Sequence, residues 1–389
     1  MSQHFVYMDY NATTPLRPEV KEVMVRALDV YANASSMHEA GRRARAEIEQ
    51  ARASVAAIIG AADPSSVYFT SGGSESNNTV FQTMYDIGRK TPSRRKIITT
   101  AIEHPCVMNS AAYLAEEGFP VVYLPVDAYG RVDMEAYRKE LTPDTLLVSV
   151  MAANNEIGTI EDMKTIAKIA KAIGAYVHTD ATQAVGKIPV SVEDWGVDYL
   201  TMSCHKIYGP KGIGALYVRP RSPIIPLVRG GHQENGVRAG TYNNLGIIGF
   251  GKAAELALKD LPEFSARLRS LRAMLRDGLV AAIPHVKVNG HPTEVLPNTL
   301  NISFPGAEGE SILLSLDLEG IQVSTGSACA SGSLEPSHVL LATGVGPELA
   351  HGSIRFSLGK YTTEEEVRFV IEKLPPIIER LRRMSTISA

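Results

Sequence analysis

Two predicted strands that end in polar residues, AYVHTDATQA at 175–184 and YLTMSCHK at 199–206, decide the fold. They belong to a series of seven short β-branched runs that alternate with helical patterns between residues 66 and 219. Repeated β-α-β units predict an α/β protein with a mostly parallel seven-stranded sheet and helices on both faces. Ligands of such sheets bind beyond the carboxyl ends of the strands. The other runs are SVYFTSG (66–72), KIITTAIEH (96–104), PVVYLPVD (120–127), TLLVSVMAANNE (145–156) and IGALYVR (213–219), with helical patterns at 74–89, 105–117, 133–140 and 161–174.

The sequence beyond the long helical stretch at 245–283 predicts a second, smaller α+β domain. We place the large domain at 16–260 and assign 1–15 together with 261–389 to the small domain, with a connecting helix near 261–283. The predicted elements of the small domain are strands at VKVNG (286–290), TLNISFPG (299–306), IQVSTG (321–326) and SIRFSLG (353–359), a helix at 308–319 and a last amphipathic helix from residue 364.

The composition excludes several classes of function. A formal net charge of −3 supplies no cationic field for nucleic acid. No apolar run approaches the roughly 18 residues that span a bilayer, and the N-terminus lacks a signal-peptide pattern, so we expect a cytoplasmic protein without a membrane segment. Cys106, Cys204 and Cys329 are too few and too far apart for a disulfide framework or a zinc site. This spacing favours a reducing compartment and no metal.

Asp180, Gln183 and Lys206 follow two neighbouring predicted strands and indicate cofactor chemistry. A lysine at the end of a buried strand favours its neutral, nucleophilic amine, which can form a Schiff base with pyridoxal phosphate. A carboxylate from the neighbouring strand can hold the pyridine nitrogen protonated, so that the ring withdraws electrons. Taken singly, Asp180 can also be a turn or capping residue, and Lys206 a surface lysine.

The segment TSGGSESNN at 70–78 predicts a phosphate site where a strand leads into a helix. Gly73 and Ser74 stand at the predicted helix start, and helix N-termini bind anions. An ordinary helix start capped by Ser74 would give the same pattern. The phosphate site, the carboxylate and the lysine together favour a pyridoxal-phosphate enzyme more than any of them does alone.

Three further polar residues are candidates for the same site. His104, in AIEHPC, can stack on the pyridine ring or move protons, or it can simply begin a helix beside Pro105. Asn155, in ANNEIG, can reach a ring oxygen of the cofactor or a substrate carboxylate. Arg355, in HGSIRFSLG, is suited to a bidentate carboxylate clamp or to a structural ion pair.

Cys329 lies in STGSACASGS at 324–333, among side chains too small to pack tightly. We expect a mobile loop at about 324–335, because a segment with few packing partners has low local stability. A thiol on such a loop can enter a cofactor pocket, take up sulfur as a persulfide and pass it on, with His104 as a candidate base. The alternative is a buried structural cysteine, which prefers large apolar neighbours. Cys204 is interpreted in that way, as a strand-interior thiol.

Nearly the whole chain resembles the cysteine desulfurases, pyridoxal-phosphate enzymes of fold type I in the class V aminotransferase superfamily. The longer cysteine segment and its continuation SLEPSH resemble the group that supplies sulfur for iron–sulfur clusters, including the branch that serves nitrogenase. The resemblance implies conversion of L-cysteine to L-alanine, with the sulfur passing to Cys329 and then to a scaffold or other acceptor protein. The motifs that carry it are MDYNATTP, GGSESNN, EHP, ANNEIG, HTDATQA, SCHKIYGPKGIG, RAGT, STGSACASGSLEPSHVL and HGSIRFSLG.

The resemblance also implies a role for each candidate at the cofactor. Lys206 would hold the cofactor covalently and move the α-proton, Asp180 would pair with the pyridine nitrogen, and Gln183 would bind the phenolic oxygen. His104 would stack on the ring. The phosphate would be bound by Gly73, Ser74, Ser203, His205 and, from the second subunit of a homodimer, Thr241.

For the substrate, the resemblance implies that Asn155 and Arg355 bind the carboxylate of L-cysteine. The sequence departs from the family pattern at two places. Many relatives have Ala-Thr where this chain has Gly73-Ser74, which keeps the hydroxyl, and a small residue without a thiol where this chain has Cys204.

Other activities remain compatible with the sequence. An aminotransferase, a β-lyase or a selenocysteine lyase can use the same scaffold and cofactor, although Cys329 favours the desulfurase. A sulfur carrier without enzymatic activity, or a metal-binding protein that uses His104, Cys106 and Cys329, would leave Lys206 and Asp180 without a purpose.

Overall fold

The computed structural model describes residues 5–325 and 335–384 of the chain. The strands are β1 (Val6–Tyr7), β2 (Val67–Thr70), β3 (Lys96–Thr100), β4 (Val121–Leu124), β5 (Thr145–Ser149), β6 (Tyr176–Asp180), β7 (Tyr199–Ser203), β8 (Gly214–Val218), β9 (Lys287–Asn289), β10 (Thr299–Ser303), β11 (Ile321–Gln322) and β12 (Ser353–Ser357). The α-helices are α1 (Pro18–Ala27), α2 (Glu39–Ile58), α3 (Gly73–Lys90), α4 (Pro105–Glu116), α5 (Met134–Glu140), α6 (Met163–Ala172), α7 (Val192–Trp195), α8 (Asn244–Ala282), α9 (Gly309–Leu318), α10 (His338–Ala342), α11 (Pro347–His351) and α12 (Glu364–Met384).

The central sheet has seven strands in the order β2-β8-β7-β6-β5-β3-β4. Strands β3 to β7 pair in parallel, and β8 pairs antiparallel with β7 and β2. Paired positions of β5 and β3 pack into different hydrophobic clusters: Leu147 and Ile97 belong to one, and the next residues, Val148 and Ile98, belong to the other. This alternation is expected when both faces of a sheet are covered. The prediction of a mostly parallel seven-stranded α/β sheet is confirmed.

The carboxyl edge of the central sheet is where the predicted functional residues emerge. Strand β6 ends at Asp180 and β7 ends at Ser203, after which Cys204–Lys206 form a 3₁₀ turn. Cys204 therefore follows the strand, whereas the sequence places it inside the strand. The reason is that the Cys204 carbonyl accepts hydrogen bonds from the N–H groups of Ile207 and Gly209, which turn the chain out of the ladder.

A second hydrophobic core lies around the smaller sheets. Strand β10 lies between β12 and β9 in an antiparallel sheet, and β1 pairs in parallel with β11. Val6 and Met8 of the N-terminal segment pack in this core with Leu268 and Leu275 of α8 and with Val370 of α12. The N-terminal and C-terminal parts of the chain therefore share one core.

Helix α8 connects the two cores as one continuous helix that contains Pro262. Its residue Phe250 belongs to the core of the central sheet and Leu268 to the second core. The connection is therefore longer than the helix near 261–283 that the sequence suggests, since it begins at Asn244.

Helices α1 and α2 pack against α8 and are not singled out by the sequence pattern. Small residues form much of the buried stripe of α2, including Ala44 and Ala51, so its apolar periodicity is weak. A Cβ added at Gly251 of α8 would lie 2.6 Å from the Cβ of Ala51, so the two helices approach closely at this point. Within the described residues, no helix combines the length and apolarity needed to cross a bilayer.

Candidate active site

A cavity of about 310 Å³ opens at the carboxyl edge of the central sheet. Asn11 and Ala12 of the N-terminal segment form part of its wall. Thr241 does not line it, and Cys329 lies outside the described residues. The predicted site residues that line the cavity are Gly73, Ser74, His104, Asn155, Asp180, Gln183, Ser203, His205, Lys206 and Arg355.

The carboxylate of Asp180 is buried and held by two donors. Asn77 Nδ2 donates to Asp180 Oδ2 at 2.7 Å, and the backbone N–H of Thr182 donates to Oδ1 at 2.9 Å. Asn77 and Thr182 are not among the site residues that the sequence predicts. The spacing does indicate that Asn77 faces the site. Asn77 follows Ser74 by three positions, and residues three apart on a helix share a face.

The amine of Lys206 is held by backbone carbonyls of the N-terminal segment. Its Nζ donates to the carbonyl oxygen of Asn11 and, at 2.7 Å, to that of Ala12. Gln183 Nε2 donates to the same Asn11 carbonyl at 3.0 Å. The amine, the amide and the carboxylate of Asp180 therefore lie on the wall of one cavity. The role of Asn11 cannot be predicted from residue type, because the contact is made by a backbone carbonyl of a distant segment.

The start of α3 forms another part of the wall. Gly73 is the first residue of this helix and Ser74 the second, and the first N–H groups of a helix have no intrahelical acceptor. A Cβ at Gly73 would lie 3.3 Å from Thr182 Oγ1, so glycine keeps this end of the cavity open. His205 is neutral near pH 7, since burial and the nearby Lys206 lower its pKa to about 4.

His104 caps helix α4, and its hydrogen bonds indicate its tautomer. Nδ1 accepts the backbone N–H of Cys106 at 3.2 Å and lies 2.9 Å from Cys106 Sγ. Burial raises the pKa of the Cys106 thiol to about 12, so the thiol keeps its proton and donates to Nδ1. Burial lowers the pKa of His104. The neutral imidazole thus carries its proton on Nε2.

Arg355 is buried, and its guanidinium group already contacts two protein groups. Its Nη2 forms an ion pair with Asp9 Oδ1 at 2.7 Å, and its Nη1 donates to the carbonyl of Asn155 at 3.2 Å. The structural ion pair that the sequence leaves open is therefore present. A guanidinium has five N–H donors, so these two contacts leave donors for a ligand carboxylate in the cavity.

The chain on either side of the segment that contains Cys329 is attached to residues near the cavity. Ser324 exchanges two backbone hydrogen bonds with Arg355, at 3.3 and 2.7 Å. On the far side, Ser337 Oγ donates to Glu156, and His338 Nε2 donates to the carbonyl of Glu103 at 3.0 Å.

The remaining predicted residues lie apart from the cavity. Thr241 is exposed, and nearby Arg238 forms an ion pair at 2.9 Å with Glu75 of α3. Cys204 is fully buried, which raises the pKa of its thiol well above the usual value. No group of three or more His, Cys, Asp or Glu residues with the arrangement of a metal site occurs in the part of the chain that the structure describes.

The cavity residues fit pyridoxal phosphate. Thr182 Oγ1 is buried on the wall and has no hydrogen-bond partner among the described residues. The amine of Lys206 suits the cofactor's aldehyde, the carboxylate of Asp180 its pyridine nitrogen, and the amide of Gln183 its phenolic oxygen. The N-terminus of α3 suits its phosphate.

Comparison with known proteins gives consistent matches. Residues 6–370 match the family model described as aminotransferase class-V. The chain is 51% identical over 382 residues to the cysteine desulfurase IscS of Dictyoglomus turgidum, which covers 98% of this chain and 96% of that protein. A solved NifS-like protein superposes with a TM-score of 0.91 at 41% identity, covering 97% of this chain and 100% of that one. The NifS-like protein of Rickettsia africae gives 0.87 at 35% identity, with coverages of 97% and 100%.

The fold and the cavity define a pyridoxal-phosphate enzyme, and the chain belongs to the class-V aminotransferase family. Within that family it is a cysteine desulfurase.

Proposed function

We propose that the chain takes the sulfur of L-cysteine onto Cys329 as a persulfide, leaves L-alanine, and passes the sulfur to an acceptor protein of iron–sulfur cluster assembly. The observation that carries the proposal is that Lys206, Asp180 and Gln183 line one cavity in a chain so similar to cysteine desulfurases.

The cofactor, when bound, supplies an electron sink for charge that develops at the α-carbon of the substrate. Lys206 Nζ attaches the cofactor and moves the α-proton, and its two carbonyl contacts support this role because they fix the amine at the wall. Asp180, fixed by Asn77 and the Thr182 N–H, keeps the pyridine nitrogen protonated. Gln183 Nε2 donates to the phenolic oxygen.

We further propose that Asn155 and Arg355 bind the substrate carboxylate. The buried guanidinium has free donor capacity beyond Asp9 and the Asn155 carbonyl. A charged, bidentate contact of this kind orients an amino acid more strictly than a single neutral hydrogen bond.

His104 and Cys329 carry the proton and sulfur steps of the proposal. The Cys329 thiolate forms an S–S bond while the carbon–sulfur bond of the substrate breaks. The electron pair stays on the carbon, which takes up a proton to become the methyl group of alanine. Burial lowers the pKa of His104, so its neutral imidazole can accept the proton of the Cys329 thiol and then deliver it to the carbon that becomes the methyl group of alanine.

The position of Thr241 supports a proposal about the quaternary structure. We propose a homodimer in which Thr241 of each subunit reaches the phosphate of the other, since Thr241 is exposed and lies outside its own cavity. The contacts from the same subunit would come from Gly73, Ser74, Ser203 and His205.

We also propose a cytoplasmic location and a division into a large domain at 16–260 and a small domain formed by 1–15 and 261–389. The two hydrophobic cores support this division. A role of the delivered sulfur in nitrogen fixation stays a proposal that rests on the resemblance of the segment SLEPSH at 333–338.

The test is to purify Cys329→Ser, add L-cysteine with a reductant, and measure sulfide, alanine and the absorbance of the bound cofactor. We expect the absorbance to persist and sulfide release to be lost. Mass spectrometry of the alkylated wild-type enzyme should find the added sulfur on the peptide with Cys329. Cys204→Ala is the matched control, because Cys204 is buried away from the cavity. Normal turnover by Cys329→Ser would overturn the proposal, and a keto acid in place of alanine would indicate an aminotransferase.

A further inference from the structure

Lys187 is a buried lysine beside the active site that the proposed mechanism does not use. Only 4% of its surface is exposed, and it lies four positions after Gln183 in the turn that follows β6. Its Nζ donates to Gln183 Oε1 at 2.6 Å. Among the residues that the structure describes, Lys187 forms no ion pair. Lysines are rarely buried without a counter-ion, so this position requires an explanation.

The hydrogen bonds of Gln183 fix which end of its amide is the donor. The carbonyl of Asn11 can only accept, so the atom 3.0 Å from it must be the amide nitrogen. The oxygen therefore faces Lys187, and the second N–H of the amide remains for the cavity that Gln183 lines. The Asn11 carbonyl also accepts from Lys206, so the contacts connect Lys187 to the amine of Lys206.

We propose that Lys187 is a positioning residue that holds the carboxamide of Gln183 with its N–H group, not its carbonyl oxygen, toward the phenolic oxygen of pyridoxal phosphate. This inference rests on the proposed role of Gln183. In the opposite orientation, the amide oxygen would face a negatively charged oxygen. A lysine suits the task because its amine is a donor whose long side chain can fill a buried space.

The electrostatic surroundings are consistent with this role. Burial lowers the pKa of Lys187 well below its usual value, and the positive charges of Lys206 and Arg355 lower it further. The amine can donate the hydrogen bond to Gln183 Oε1 whether or not it carries a charge. A carboxylate partner would raise the pKa of Lys187, and no such partner is present among the described residues.

The test compares Lys187→Met, which keeps the length but removes the donor, with Lys187→Gln, which restores a donor. Pyridoxal phosphate is titrated into each apoprotein, and the pH midpoint of the bound cofactor's visible absorbance is measured. For Lys187→Met we expect about tenfold weaker cofactor binding, the effect of one hydrogen bond, and a shifted midpoint. Lys187→Gln should recover most of both. Thermal unfolding of the apoproteins shows whether the variants fold.

A double-mutant cycle separates positioning from a purely structural effect. If Lys187 acts through Gln183, Lys187→Met should change neither affinity nor midpoint further in a Gln183→Ala background. Wild-type affinity and midpoint in Lys187→Met, or effects of the two changes that simply add, would overturn the inference. The outcome is distinct from a failure of the proposed function, which would appear as normal turnover by Cys329→Ser or as a keto acid product while the wild-type enzyme still binds the cofactor.

Discussion

Removal of the carboxylate of Glu234 should destabilise the protein by an amount that the contacts allow us to work out. Glu234 and Arg52 form a bidentate ion pair at 2.6 and 2.8 Å, and only 3% and 5% of their side chains are exposed. Glu234 also accepts the backbone N–H of Phe69 in β2 at 2.9 Å. The pair therefore joins α2, the central sheet and the segment that leads to Arg238 and Thr241.

Breaking a buried ion pair from one side costs about 3–5 kcal/mol, because the remaining charge stays buried. Arg52 would keep Glu49 at 2.9 Å and the Val67 carbonyl at 2.7 Å, so we expect E234A near the lower value, about 3 kcal/mol. Glu234 has a φ of 48°, and alanine would bear the same backbone cost there. With an unfolding entropy of about 2.1 cal/mol/K per residue, the melting temperature should fall by about 4 °C.

Differential scanning calorimetry of the cofactor-loaded enzyme measures this shift. The matched control is K164A, which removes the ion pair with Asp194, whose partners are 63% and 57% exposed. An exposed pair contributes about 0–1 kcal/mol, so the control should shift the melting temperature by roughly 1 °C or less. E234Q keeps the shape but not the charge and should fall between the two. If E234A melts no lower than K164A, the assigned contribution of the buried pair is wrong.

Two further changes probe the site and its surroundings. Lys206→Ala should replace the absorbance band of the covalently attached cofactor with that of the unattached aldehyde while the fold persists, because the amine is the only group of the cavity proposed to attach the cofactor; an unchanged spectrum after reconstitution would contradict its role. Burial raises the pKa of Glu103 to about 8. The folded protein therefore binds a proton that the unfolded chain releases above about pH 4.5, and stability is lost as the pH rises from there to about 8. Glu103→Gln should reduce that loss in thermal unfolding measured across the same pH range, and an unchanged pH profile would show that Glu103 is not the cause.

The sequence predicts the cavity residues that lie at or just beyond the carboxyl ends of strands. Hydrophobic periodicity locates each strand, and parallel strands end at the same edge of the sheet. Asp180 and Lys206 are found in this way, although they follow different strands. His104 and Asn155 follow from the same rule, since each comes shortly after a strand of the central sheet.

The sequence does not predict contacts that depend on how distant segments pack. Asn11 meets Lys206 across 195 positions, and a backbone carbonyl leaves no trace in residue type. Asp9 is close to Arg355 only because β1 joins the second core. Lys187 looks like a surface lysine in the sequence, since burial depends on the tertiary structure and lysine is usually exposed.

The N-terminal segment explains why the central sheet alone does not complete the site. The Asn11 carbonyl accepts from both Lys206 and Gln183, while its side chain donates to Thr299 Oγ1 at 2.8 Å and accepts from Asn298 at 2.9 Å, next to the second core. A displacement of that core relative to the central sheet would move the carbonyl away from both active-site side chains. The position of the amine that attaches the cofactor therefore depends on how the two cores pack, and a chain without residues 1–15 would keep the strands of the central sheet but not the geometry of the site.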